Sequence, residues 1–353
     1  MSTKLLPCTL SALLLSTTAM AEVPSVAVDI APVHSLVARV MDGVGTPDLV
    51  IPAGASPHGY SLRPSEAAAL QNADLVFWLG EDLTPWLEDG LETLAEGATI
   101  TTLLELDETE LLDFREGASF EAHDHDHDDD HAHDEEHAHD DDHAHDEEHA
   151  HDDDHAHDEE HAHDDHGHDE DHAHDNGHKG HDHGEHDPHA WLSPDNASAW
   201  LNVIAARLSA ADPDNAGAYF ANAAAGRAEF EALKAEVNEL LEPARGQRFV
   251  VFHDGYQYFE TAFDLFASGA ISLGDATDPS PARIAEIQDR VRDENVACVL
   301  AEPQFNPGIV AVVLDGTDAG TAVVDPLGSD LAPGPALYPQ LLRNLATNLA
   351  SCF

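Results

Sequence analysis

The chain has 353 residues, 42% of them hydrophobic, and a formal net charge of −56 at pH 7. This length suggests two domains of ordinary size, and the hydrophobic content is enough for true cores, which excludes a wholly disordered protein. The excess of acidic residues argues against nucleic acid or an anionic membrane surface as a partner.

The N-terminus is typical of a secretory signal peptide covering residues 1–21. Lys4 supplies the positive charge, Leu5 to Leu15 is mostly apolar, and Ala19-Met20-Ala21 fits an A-x-A cleavage site. A short buried helix is the alternative interpretation of this run, which is too short to span a bilayer. No later stretch of about 20 apolar residues follows, so we expect an exported chain without membrane insertion after cleavage.

Residues 22–120 alternate short apolar runs with helical patterns, which predicts the first part of an N-terminal α/β lobe. The predicted strands are 26–30, 48–51, 73–79 and 99–103, and the predicted helices are 33–41, 65–72 and 83–95. Such alternation is typical of βαβ units and a parallel sheet. Ligands bind at the carboxyl ends of the strands in these sheets. His58 lies in a Gly/Pro-rich loop after a strand, where a ligand residue is expected.

Residues 121–187 interrupt this lobe with a tract of almost only histidine, aspartate, glutamate and alanine. The unit HAHDEEHAHDDD begins at His131, repeats at His143 and recurs slightly altered at His155, and 23 of the 27 histidines lie in the tract. Imidazole and carboxylate are ligands of divalent transition metals. Without larger apolar side chains the tract cannot offset an ordering cost of about 1–2 kcal/mol per residue, so we predict a disordered accessory metal-binding loop. Its first histidines are His123, His125, His127, His131, His133, His137, His139, His143 and His145.

The rest of the chain predicts completion of the first lobe and then a second one. Residues 188–213 complete the N-terminal lobe, and residues 214–242 contain an unusually long helix of about 40 Å. Residues 243–353 repeat the strand–helix alternation as a C-terminal lobe. We therefore predict an α/β fold with two Rossmann-like lobes, each with a parallel sheet. One long rigid helix would join the lobes, and a metal site would lie in the cleft between them.

Four histidines lie outside the tract, and three of them fall in predicted loops. His58 belongs to the first lobe, His189 follows the tract and His253 follows a strand of the second lobe. Asp325 also follows a predicted strand, so the four side chains could form a tetrahedral site for zinc. Each histidine taken singly could instead be a hydrogen-bonded loop residue. His34, near the start of a predicted helix, is interpreted as structural.

Five successive motifs carry a resemblance to a known family: ASPHGYSLRPSE, DPHAWLSP, FHDGYQYFE, AEPQFNP and VDPLG. They resemble the metal receptors of ABC importers, specifically the ZnuA-like, zinc-specific members of the cluster A-I family. The resemblance extends over nearly the whole mature chain and includes the long helix and an acidic His-rich loop. It implies periplasmic location and the cleft site predicted above.

The resemblance also implies which residues hold the metal. His58, His189 and His253 match the family's ligands, with either Asp325 or a water as the fourth. Manganese-binding relatives often carry a carboxylate where His253 stands, so imidazole at this position favours Zn²⁺. Glu302 in AEPQF is expected either to orient a ligand imidazole or to be a buried carboxylate bonded to backbone.

Two cysteines remain after signal cleavage, Cys298 and Cys352. In an oxidising compartment such a pair most simply forms one disulfide, with two free buried thiols as the alternative. The C-terminal disulfide of the family's zinc members implies that the pair is bonded.

The function implied by the resemblance is capture of Zn²⁺ in the periplasm by a monomer. The ion would then pass to an inner-membrane ABC permease driven by its cytoplasmic ATPase, with no chemistry performed. The tract would gather ions for the cleft, or would be a buffer or sensor that transfer does not need. A manganese-binding relative is the nearest alternative. A secreted zinc-dependent hydrolase would need a general base and a motif such as HExxH, and a nickel chaperone would need a P-loop; neither motif occurs in the parts predicted to be ordered.

Overall fold

The computed structural model describes residues 23–115, 120, 186–272, 274 and 279–353. The predicted signal peptide and residues 121–185 of the predicted disordered loop, with the nine accessory histidines named above, lie outside this described part. Among the described residues, no helix is both long and apolar enough to cross a membrane.

The first lobe is built on a parallel four-stranded sheet with the order β2-β1-β3-β4. Its strands are β1 (Val26–Val28), β2 (Asp48–Leu49), β3 (Leu75–Trp78) and β4 (Thr99–Thr102). Its helices are α1 (Ala31–Val40), α2 (Pro64–Gln71), α3 (Glu88–Leu94) and α4 (Pro194–Ala211). Every residue of β1 and β3 is buried, as expected of central strands covered on both faces.

The second lobe repeats this plan with the order β6-β5-β7-β8, again all parallel. Its strands are β5 (Phe249–His253), β6 (Gly269–Ser272), β7 (Cys298–Ala301) and β8 (Gly320–Val323). Its helices are α6 (Gln257–Ala262), α7 (Pro281–Asp293), α8 (Pro307–Leu314) and α9 (Leu337–Ala350). The prediction of two α/β lobes with parallel sheets is confirmed.

The long helix α5 (Ala216–Leu240) has 25 residues and connects the two lobes. It packs against α1 and α4 of the first lobe and against α9 of the second. α9 also reaches the first lobe directly, because the Tyr338 N–H donates to the Ser35 hydroxyl at 3.0 Å. Among the described residues one hydrophobic cluster runs through both lobes, so their junction is part of the folded core, and a second cluster lies within the second lobe.

One predicted helix ends earlier than its sequence pattern suggests. The apolar pattern of residues 256–266 predicts a helix over this whole range, but α6 ends at Ala262. Asp264 has a φ of 53°, which reverses the chain, and Arg245 donates to the carbonyl of Phe263 at 2.6 Å. Tertiary capping of the helix end thus overrides the apolar pattern.

The two remaining cysteines form the predicted disulfide. Cys298 opens β7 and Cys352 lies next to the C-terminus, with their Cα atoms 5.9 Å apart. The bond attaches the end of the chain after α9 to the sheet of the second lobe.

Candidate metal centre

His253 is the last residue of β5. The strand order of the second sheet changes direction between β5 and β7, so His253 lies at this switch point. Glu302 follows β7, and its Oε1 lies 2.6 Å from His253 Nδ1. Both side chains are buried. Burial raises the pKa of Glu302, while the facing His253 counteracts this. An ionised carboxylate accepts the proton-bearing Nδ1–H, so the Nε2 lone pair is directed away from Glu302.

His189 has the same arrangement with a different carboxylate. Asp187 Oδ1 lies 2.7 Å from His189 Nδ1 and also accepts the His189 backbone N–H at 2.9 Å. Asp187 is fully buried, and this burial raises its pKa to about 6, against the lowering effects of that backbone bond and of Arg115. The carboxylate fixes the imidazole so that Nε2 is the nitrogen turned away from Asp187.

The two Nε2 atoms face each other, with His189 Nε2 and His253 Nε2 3.4 Å apart. Two nitrogens bound to one tetrahedral zinc at about 2.0–2.1 Å would be about 3.3–3.4 Å apart. With both Nδ1 atoms protonated, two lone pairs point at one another, which is repulsive without a proton or a cation between them. The spacing of the two Nε2 atoms is therefore compatible with two corners of a tetrahedral metal site.

Gly255 leaves the space that such an ion needs. A Cβ on this residue would lie 2.3 Å from His253 Nε2 and 3.0 Å from His189 Nε2. The first distance is shorter than any real Cβ contact and the second is tighter than most, so a side chain here would collide with His253 and crowd His189. Glycine is required because the backbone passes directly beside them.

His58 comes from the loop between β2 and α2 of the first lobe and is half-buried. Its ring centre lies 5.5 Å from that of His189. The loop is held by Trp86, whose Nε1–H donates to the Pro57 carbonyl at 2.7 Å. Three histidines from two lobes thus converge. Within the described residues no three ligand side chains already stand at coordinating distances.

Asp325 lies in the turn after β8, where its carboxylate accepts four hydrogen bonds. The donors are the backbone N–H groups of Leu327, Gly328 and Ser329 and the hydroxyl of Ser329, at 2.6–3.0 Å. A carboxylate has about four lone-pair positions, so a metal bond would have to replace one of these contacts. The adjacent backbone at Pro326 is fixed by Trp191, whose Nε1–H donates to the Pro326 carbonyl at 2.8 Å.

Comparison with known proteins identifies the family of the chain. The model of the family described as "Zinc-uptake complex component A periplasmic" matches residues 26–352. The high-affinity zinc uptake system protein ZnuA of Brucella abortus is 43% identical over 327 residues, covering 93% of this chain and 91% of the relative. The protein of the same name from Paracoccus denitrificans is 44% identical over 335 residues, covering 95% and 93%.

The chain belongs to this family of periplasmic zinc-uptake components. Members of the family are transport components and not enzymes, so the hydrolase alternative is not favoured. Neither is the manganese alternative, since the family model and the relatives named above are described by zinc uptake.

Solved structures support the fold independently of sequence. A crystal structure of ZnuA aligns with a TM-score of 0.65 at 19% identity, covering 94% of this chain and 99% of that one. The binding protein FpvC of Pseudomonas aeruginosa, in complex with Mn²⁺, aligns with a TM-score of 0.67 at 17% identity, covering 94% and 98%. At these identities the likeness establishes the two-lobed architecture alone.

The histidine interpreted as structural is integrated into the first lobe. His34 is buried in α1, and its Nε2 lies 3.0 Å from the Pro47 carbonyl. Sequence reasoning missed two residues of the site, Asp187 and Gly255. Both stand inside motifs that carried the family resemblance, DPHAWLSP and FHDGYQYFE. A carboxylate two residues before a candidate ligand was the available signal for Asp187, whereas Gly255 offered none.

Proposed function

We propose that this family member captures Zn²⁺ in the periplasm with His58, His189 and His253. As a monomer it would deliver the ion to an inner-membrane ABC permease that is driven by a cytoplasmic ATPase. The observation that carries the ligand proposal is the pair of facing Nε2 atoms, 3.4 Å apart, each backed by a carboxylate on its Nδ1. Zinc is cargo here, and the site binds and releases it unchanged.

The donor set supports zinc as the cargo. Three neutral imidazoles suit zinc, whereas manganese prefers oxygen ligands. His253 supplies nitrogen where a carboxylate would favour manganese, and its partner Glu302 raises the basicity of the imidazole. The fourth position belongs to Asp325 or to a water. Asp325 would enter only by giving up a contact in its own turn.

Two of the three ligands are held in place before metal arrives, which favours capture at low zinc concentration. His189 and His253 are locked by Asp187 and Glu302, and both rings are almost fully buried. His58 is the more exposed ligand and comes from a loop, so we propose that it binds the ion last and completes the three nitrogen ligands. Because only neutral imidazole binds metal, affinity falls as the pH drops below about 6.

The His-rich tract has an accessory role in this proposal. Its many weak sites would raise the local zinc concentration close to the cleft. The last histidine of the tract, His186, stands three residues before the proposed ligand His189, so ions gathered there would be delivered beside the site. The competing role is a buffer or sensor that transfer does not need.

Metal content tests the proposal. The intact chain and a chain lacking residues 123–182 are dialysed against equimolar zinc and manganese, and the bound metals are counted. We expect more than one zinc on the intact chain and one on the shortened chain, with little manganese on either. A shortened chain that binds no zinc, or that selects manganese, would contradict the cleft site.

A further inference from the structure

Arg115 connects the start of the tract to the second lobe. It lies in the segment that leads from the first lobe into the tract, and its guanidinium contacts two carboxylates of the second lobe. Nε lies 3.0 Å from Asp254 Oδ1, while Nη1 and Nη2 lie 2.8 and 3.0 Å from the two oxygens of Glu260. The three side chains are 16%, 6% and 3% exposed. Asp254 directly follows His253, so this buried fork reaches the candidate site.

The other end of the tract joins the same assembly. The Asp187 N–H donates to the Leu112 carbonyl at 2.8 Å, and Asp113 forms an antiparallel bridge with His186. Tyr258 of α6 accepts from the Leu112 N–H and donates to the Asp187 carbonyl, both at 2.9 Å. The entering and leaving segments of the tract are therefore bonded to each other and to α6.

Charge makes Arg115 the centre of this assembly. Asp187, Asp254 and Glu260 are all buried, at 1%, 6% and 2% exposure. The guanidinium pairs directly with Asp254 and Glu260, which offsets the cost of placing these carboxylates in the interior. Two of these carboxylates are tied to the candidate ligands: Asp187 holds the ring of His189, and Asp254 is the next residue after His253.

We propose that Arg115 is a positioning residue of the zinc site, which fixes the His189 segment against the His253 segment across the lobes. This inference rests on the proposed function. Arg115 holds the two segments so that the Nε2 atoms keep the 3.4 Å separation that suits zinc. Without the fork the segments separate, and the bound ion is released sooner. Capture is affected less, because the ligands themselves remain.

The test uses the full chain loaded with one equivalent of zinc and follows transfer of the ion to an excess of chromophoric chelator. Arg115→Gln removes the charge at similar size, and Arg115→Lys keeps the charge without the fork. Arg39→Gln is the matched control, because Arg39 is 20% exposed and pairs with Glu229 at 3.2 Å between α1 and α5. Cobalt(II) absorption spectra of the same variants report on ligand geometry.

We expect Arg115→Gln to release zinc about 10–100-fold faster, in the range known for partners of metal ligands. Its association rate stays near that of the wild type and its cobalt spectrum changes. Arg115→Lys lies between, and Arg39→Gln matches the wild type. Wild-type release from Arg115→Gln, or equal acceleration in Arg39→Gln, overturns the inference. If Arg115→Gln does not fold, Arg115→Lys against Arg39→Lys decides by the same criterion. Absence of a slowly released zinc in the wild type would instead refute the proposed function itself.

Discussion

The two lobes have the same sheet order but use the ends of their central strands differently. Asp29 follows β1, and its carboxylate accepts the backbone N–H of Ile30 at 2.7 Å and of Leu79 at 2.8 Å. His253 occupies the corresponding place at the end of β5, and its partner Glu302 follows β7. At the end of the central strand, the first lobe thus has a carboxylate that is bonded to backbone N–H groups, whereas the second lobe has an imidazole.

This difference accounts for where the proposed ligands of the first lobe come from. Asp29 is buried and its pKa is raised to about 7, mainly by burial. Its two oxygens join the ends of β1 and β3, so both are already occupied by backbone N–H donors. The first lobe therefore contributes His58 from a long loop and His189 from the segment after the tract. The same sheet order therefore ends in a structural carboxylate in the first lobe and in a proposed metal ligand in the second.

The largest expected effect is the difference between substitutions at His253 and at Asp29. His253→Ala removes a ligand, so zinc affinity should fall by more than the roughly 10–100-fold that loss of an outer partner costs. Asp29→Asn places an amide N–H against a backbone N–H, which should lower the free energy of unfolding by about 1–3 kcal/mol. Chelator competition and thermal unfolding measure both quantities. The comparison fails if Asp29→Asn weakens zinc binding by the folded protein as much as His253→Ala does.

Substitution of two glycines next to proposed ligands tests whether the ion lies beside the rings of His189 and His253. Gly255→Ala would put a Cβ 2.3 Å from His253 Nε2, so we expect at least a roughly 100-fold loss of zinc affinity, at the upper end of outer-partner effects. Gly59→Ala is the control, since a Cβ there meets nothing within 4 Å although it follows His58. Isothermal titration with zinc distinguishes them. Tight binding by Gly255→Ala would show that the ion lies elsewhere.

A smaller effect is expected from the carboxylate behind His253. Glu302→Gln keeps the shape but weakens the hold on Nδ1–H, so zinc affinity should fall about 10–100-fold. Glu229→Gln, on the α1–α5 contact with Arg39, should bind zinc as the wild type does. If Glu302→Gln also kept wild-type affinity, Glu302 would be a carboxylate that only satisfies its local hydrogen bonds.

Much of the fold could be predicted because its signals are local. The apolar strands and the helical periodicity between them gave two parallel sheets, and the uninterrupted helical pattern after residue 214 gave α5. His58 and His253 could be proposed as ligands from the sequence because both follow predicted strands. Glu302 could be proposed as a partner of a ligand because it lies in a family motif after a predicted strand.

The features that sequence could not supply depend on tertiary contacts. The early end of α6 depends on Asp264 and Arg245, and the role of Gly255 depends on the nearby rings of both ligands. Arg115 acts on residues more than 130 positions away, so no local pattern reveals it. Asp325, or a water in its place, remains the predicted fourth ligand. The hydrogen bonds that its carboxylate accepts within its own turn could not be predicted from the motif VDPLG.

The most direct test of the central claim is anomalous X-ray diffraction at the zinc edge from crystals of the full chain with one equivalent of zinc. We expect the strongest peak in the cleft, about 2.0–2.1 Å from the Nε2 atoms of His189 and His253, with His58 completing the three nitrogens. A strongest peak away from these atoms, with the two Nε2 atoms still facing each other, would contradict the account.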